Sequence, residues 1–147
     1  MSIGEWLTLI FVGIAAVVPL LRWWTDRPAL HAWCEVRKAP PMVPPADQLI
    51  IHITNSGGGA IGVSHLVFEF DFPVDDQITV QFSNGPMTLS GKQRIEQRFY
   101  PTDWGMFRDT ADPDKPSRPN RVYVMDNLDV AHLVKGSPTK LRELFYG

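Results

Sequence analysis

The hydrophobic rhythm of the chain changes once, near residue 25. Before that point the run WLTLIFVGIAAVVPLL, residues 6–21, contains no charged side chain, and its apolar residues cover every face of a helix instead of one stripe. Extended to Ile3 and Trp24 it has 22 residues, about 33 Å of helix at 1.5 Å per residue, against a bilayer hydrocarbon core of about 30 Å. Trp6 at one end and Trp23 with Trp24 at the other fall where indole rings favour the headgroup level, so these three are the expected membrane-interface anchors. Pro19 falls near the end of the run, where a kink is tolerable.

Beyond residue 25 the period becomes two, in short runs of β-branched and aromatic residues punctuated by Gly, Pro, Asn and Asp. The pattern predicts strands at 30–37, 48–55, 61–72, 77–82, 93–100, 121–126 and 130–134, with a short eighth at 87–89. The alternation is clearest where Leu66, Phe68, Phe70 and Phe72 share one face and Val67, Glu69 and Asp71 the other, which places those aromatics at the centre of a core. Ile78, Val80 and Phe82 repeat it, as do Ile95 with Phe99 and Val122 with Val124. About seven short strands in roughly 105 residues is the arithmetic of an all-β immunoglobulin-like sandwich. The expected organisation is a transmembrane anchor at 1–24 and a sandwich domain at 25–147.

The connections add detail. The four prolines of KAPPMVPPAD, residues 38–47, forbid a central strand and read as a stiff crossover between sheets. Residues 101–120 form a long loop, in which Thr102 can cap a helical turn carrying Trp104 and Phe107 before Pro113, Pro116 and Pro119 end it. Ser137 and Pro138 can start a short C-terminal helix with Leu141, Leu144 and Phe145 on one face.

Composition changes the picture in three places. The overall 44% of apolar residues averages two unlike segments, because 17 of the first 24 residues are apolar whereas the remainder of the chain is about 39% apolar. Acidic residues outnumber Lys and Arg by 16 to 14, which argues against nucleic acid as a partner. The lone Cys34 can form neither an internal disulfide nor a Cys-rich zinc site, and it fits a reducing compartment. A cleaved signal peptide is disfavoured, since MSIGE lacks a basic residue and the run ends in LLRWW, without a small-residue cleavage site. Arg22, Arg27, Arg37 and Lys38 all follow the span, so the positive-inside rule predicts a domain facing the cytoplasm from the inner membrane.

In order, an N-terminal span, RPAL opening a strand, LIIHITNSGGGAIGVSHLVFEF, LSGKQRIEQRF and RVYVMDNLDVAHLV together resemble the small membrane-anchored immunoglobulin-like proteins of bacteria and their phages. The resemblance covers roughly residues 28–135 and implies a fold, with no catalytic residues to carry over. The insertion at 101–120 and the helical tail depart from it.

Motifs that carry chemistry are weak. Gly57, Gly59 and Gly62 spell GxGxxG, but a strand follows where a phosphate-binding helix N-terminus is required, so the glycines read as a flexible connection permitting positive φ. His31, His52, His65 and His132 lie in predicted strands at no metal-site spacing and read as half-exposed strand histidines. Asp109, Asp112 and Asp114 lack an EF-hand pattern, and Asp71, Asp75 and Asp76 read as turn or edge charges. There is no GxSxG, Cys34 falls in a strand that would quiet its thiol, and the Pro41/Pro44 PxxP sits inside the proline linker. The expectation is therefore no enzyme, no cofactor, no metal and no small-molecule substrate.

Trp104, Met106, Phe107 and Arg108 are the residues assigned to partner binding, being of the types enriched in interface cores and lying on a long loop. An opposing reading has Trp104 and Phe107 plugging the open end of the sandwich. The function expected is a non-catalytic, single-pass docking or accessory module for another membrane or envelope protein. A phage or virion membrane component, a phage exclusion factor and a non-catalytic subunit of a membrane enzyme complex are the alternatives.

Overall fold

Ser2 begins the first helix through a reciprocal cap. Its backbone N–H donates to Glu5 Oε2 at 2.6 Å and its Oγ accepts from the Glu5 N–H at 3.4 Å, satisfying two of the donors a helix start leaves open. Helix α1 then runs over Ile3–Thr25, 23 residues and about 35 Å, long and apolar enough to cross a membrane. Every residue in it is exposed, so the domain buries none of its side chains. The computed structural model describes residues 2–38, 47–70, 77–100 and 119–146.

The rest is mostly β. Strands β1 (Leu30–Arg37), β2 (Gln48–Asn55), β3 (Ile61–Phe70), β4 (Gln77–Gln81), β5 (Met87–Leu89), β6 (Arg94–Phe99), β7 (Pro119–Asp126) and β8 (Ala131–Leu133) precede helix α2 (Ser137–Tyr146). They form two sheets, one ordered β1-β2-β6 and one ordered β4-β3-β7-β8 with β5 also paired to β3. The expected strands appear with small shifts at their ends, and α2 starts at the expected serine. Phe72, the last of the alternating aromatics, lies outside the described residues, as do Asp71, Asp75 and Asp76.

One connection differs from its prediction. β1 and β2 are antiparallel neighbours in a single sheet, registered from Leu30 opposite Asn55 to Arg37 opposite Gln48. The proline segment thus joins two strands of the same sheet and is not a crossover between sheets. Proline content rules out a strand there, but only the pairing of the flanking strands decides where the chain goes next.

The core lies between the sheets. Leu49, Ile51 and Ile53 of β2 meet Leu66, Phe68 and Phe70 of β3 and Val122 and Val124 of β7. Phe68 is fully buried and packs edge-on against Phe99 of β6, ring centroids 5.4 Å apart, joining the two sheets through an aromatic pair. α2 adds the fully buried Leu141 to the same cluster. Ser137, at the head of α2, is itself buried and accepts a hydrogen bond from the Val122 N–H at 3.2 Å.

After β8 the chain changes sheets. The Val134 N–H donates to the Val122 carbonyl at 2.8 Å, while at the next residue the Lys135 N–H donates to the Ala32 carbonyl at 2.9 Å. Lys135 thereby lies parallel to β1 opposite Trp33, closing one side of the double sheet. Such a corner-turning strand fixes the angle between sheets that otherwise touch only through side chains.

Phe68→Ala removes the aromatic contact between the sheets, and by the usual cost of such truncations it destabilises the domain by about 3–5 kcal/mol. Chemical denaturation of the detergent-solubilised protein measures this, with the exposed Thr79→Ala as a control within about 0.5 kcal/mol of wild type.

Candidate functional site

The densest polar construction in the described structure joins α1 to the sheets, and Asn55 is its hub. This side chain, at the end of β2, is fully buried. Its Oδ1 accepts from the N–H groups of Ala29 at 3.2 Å and Gly57 at 3.1 Å. Its Nδ2, with two hydrogens, lies within hydrogen-bonding distance of the carbonyls of Gly59 at 2.6 Å, Leu89 at 3.1 Å and Ser90 at 3.2 Å. One amide thus ties together the segment after α1, the glycine loop and the end of β5. Each of those backbone groups would cost about 1–3 kcal/mol if buried without a partner.

The glycine loop completes the joint. The Gly58 N–H donates to the Thr25 carbonyl at 3.2 Å and the Ser56 N–H to the Ala29 carbonyl at 2.8 Å. The Lys92 ammonium donates to the Ser56 carbonyl from the neighbouring turn. A β-carbon on Gly57 would overlap the Arg27 carbonyl, and one on Gly59 the Asp26 carbonyl. The positive-φ glycines of the described chain are Gly85 and Gly136, so the glycines after β2 do not serve a left-handed backbone as the sequence pattern suggests. They are needed because the last turn of α1 and the linker behind it press directly onto them. Arg27 stacks its guanidinium 3.5 Å from the Trp23 ring centroid and 5.4 Å from that of Trp24, holding two of the three predicted interface tryptophans beside the joint. Trp6 lies 17 residues before Trp23 on α1, about 26 Å along the axis.

A second cluster occupies the outer face of the β1-β2-β6 sheet. Trp33 and His52 are opposite one another in the register and stack with centroids 5.1 Å apart and planes 26° from parallel. Arg94 donates to His52 Nδ1 at 2.6 Å and also lies 5.1 Å from the Trp33 centroid, while Glu35 is 3.4 Å from His52 Nε2. Glu96 bridges Arg94 and Arg98, and the Arg98 hydrogen bond holds the Glu96 carboxyl below its ordinary range. Partial desolvation opposes that shift, and the charges of His52, Arg94 and Arg98 reinforce it. His52 is therefore 3% exposed, not the half-exposed strand histidine that alternation predicts, because cross-strand neighbours cover it. Glu35 and Glu96 approach opposite ring nitrogens and share no common centre for an ion. Among the described residues no group of three metal-ligating side chains converges.

The remaining candidates have structural roles. Ser64 Oγ lies 2.9 Å from His65 Nδ1, but the same hydroxyl faces the Met125 and Asp126 carbonyls at 3.3 and 3.4 Å across a bulge in the β3–β7 ladder. It fills the gap the bulge leaves in that ladder. Cys34 is buried in the core, and burial pushes its thiol up to about 11 against a smaller opposing effect of Lys140, which makes it a poor nucleophile at neutral pH. Trp104, Met106, Phe107 and Arg108 lie outside the described residues, as do Pro41, Pro44, Asp109, Asp112 and Asp114. The strands that flank the 101–118 segment can be placed: Phe99 pairs with Leu49 and Pro119 with Phe70, both at the opposite end of the sheets from Asn55 and α1.

Two polar residues here leave little trace in the sequence. Asn55 is legible only as the asparagine of an NSGGG turn. Asp126 is buried, and its Oδ1 accepts from the N–H groups of Leu128 at 2.8 Å and Val130 at 2.9 Å while His132 Nε2 lies 2.9 Å from Oδ2. Burial disfavours the charged form, but these hydrogen bonds outweigh it and hold the Asp126 carboxyl below its ordinary value. Family models, curated proteins and solved structures were all compared with the chain, and none matches it.

A depressed carboxyl stabilises the fold fully above the unfolded-state value of about 3.9 and loses that contribution as pH falls through the lower native value. Asp126→Asn is accordingly expected to cost about 1–3 kcal/mol at pH 7, and the gap to wild type should narrow below about pH 4. Thermal melts across that range, with His132 retained, read the difference.

Proposed function

We propose that this chain is a non-catalytic, single-pass membrane protein whose immunoglobulin-like domain docks onto another membrane or envelope protein. The observation that carries the reading is the joint at Asn55: a helix apolar on every face and buried nowhere by the domain is fixed to it by hydrogen bonds within five residues of its end. A tether so short gives the domain a set orientation on the bilayer and keeps it at high local concentration beside a membrane partner.

The immunoglobulin-like assignment is supported by the strand order, β1-β2-β6 facing β4-β3-β7-β8, and by the parallel return of the chain beside β1. It agrees with the resemblance to small membrane-anchored proteins of bacteria and phages. The cytoplasmic orientation rests on Arg22, Arg27, Arg37 and Lys38 following the span. With α1 at one end, the strands flanking 101–118 end at the other, so that segment starts and finishes on the side presented away from the bilayer. Trp104, Met106, Phe107 and Arg108 are the contact residues of this proposal.

The double variant Trp104→Ala/Phe107→Ala should lose at least about tenfold in crosslinking to its partner in intact cells, the loss of two interface anchors, while its melting temperature stays unchanged. Wild-type crosslinking by the folded double variant would overturn the assignment of the contact to this loop.

A further inference from the structure

Outside α1, the exposed large apolar side chains of the described residues are Leu128, Val130 and Leu133, at 78%, 50% and 48% exposure. All three belong to one hairpin, β7–β8, and none is needed to shape it. The turn is set by Asp126, whose carboxylate binds the N–H groups of residues 128 and 130, by the Asp129 N–H donating to the Asp126 carbonyl at 3.2 Å, and by Asp129 adopting a φ of 58°. Turn tips of this kind are ordinarily polar, so a leucine at the apex calls for another explanation.

The position of the hairpin supplies one. The Asn127 N–H donates to the Gly62 carbonyl at 3.0 Å, and a β-carbon on Gly62 would lie 2.8 Å from the Asn127 side chain. Gly62 is three residues, about 10 Å of extended chain, from Gly59, which is pressed against the linker leaving α1. The hairpin tip therefore belongs to the same layer of loops as the C-terminal end of α1. Lys92 stands in this layer too, on the turn before β6.

We propose that the β7–β8 turn is a second membrane contact, with Leu128 and Val130 entering the headgroup–acyl boundary of a phospholipid bilayer beside α1. The proposal rests on the reading that α1 spans the bilayer, and it gives the domain two points of attachment. The short tether sets the orientation of the domain, and a leucine-tipped turn seated in the same surface adds resistance to tilting away from it.

The test uses the full chain in phosphatidylcholine nanodiscs, with an environment-sensitive dye on Leu128→Cys, on Ile14→Cys in α1, or on the exposed Thr139→Cys of α2, away from that layer of loops. The native Cys34 is buried and stays unlabelled. Spin-labelled lipids should quench the dye at 128 about twofold or more, as expected for a group roughly 5–10 Å deep, and should quench the dye at 14 while sparing that at 139. Quenching at 14 with 128 matching 139 overturns the turn contact and leaves the span intact. Absence of quenching at 14 overturns the span and the turn contact with it.

Discussion

The structure depends most on one buried amide. Asn55 sits where β2 ends, and its side chain reaches five backbone groups, in the linker after α1, the glycine loop and the end of β5 with its following turn. An apolar side chain could not replace it, because the buried Gly57 N–H and Leu89 carbonyl and the half-buried Ala29 N–H and Gly59 carbonyl would each lose the partner this amide supplies. The glycines follow from the same constraint: with linker and loop bonded to one amide, the backbones come too close for a β-carbon. From this joint follow the tether length, the end of the domain that faces α1 and, in the proposed reading, the end left for a partner.

The two sheets are joined by both polar and apolar means. Near α1 the connection is polar and made through backbone groups. Midway along the strands it is apolar, with Leu141 of α2 in the core, and the chain itself crosses between sheets at Val134, bonded to Val122, and Lys135, opposite Trp33.

Local pattern made much of this legible. The alternation of Leu66, Phe68 and Phe70 predicts both a strand and its buried face, and the uniform greasiness of residues 6–21 predicts a helix that the domain does not cover. What local pattern missed depends on register. Proline content at 38–47 cannot say that β1 and β2 are neighbours, and alternation puts His52 on an outer face without showing that Trp33 and Arg94 will cover it. GxGxxG looked like a need for positive φ when the need was for close approach. The candidate contact residues Trp104, Met106, Phe107 and Arg108 lie outside the described residues, so their assignment rests on residue type and on where the flanking strands end.

The claim that α1 and the domain move as one piece is tested most directly by the distance between spin labels on Val17→Cys in α1 and Thr139→Cys on α2, measured in nanodiscs by pulsed electron resonance. A Gly-Ser-Gly insertion between Arg27 and Pro28 serves as the loosened reference. The account predicts a single narrow distance distribution for the uninterrupted chain and a broad one for the insertion variant. A distribution as broad in the uninterrupted chain as in the insertion variant would contradict it.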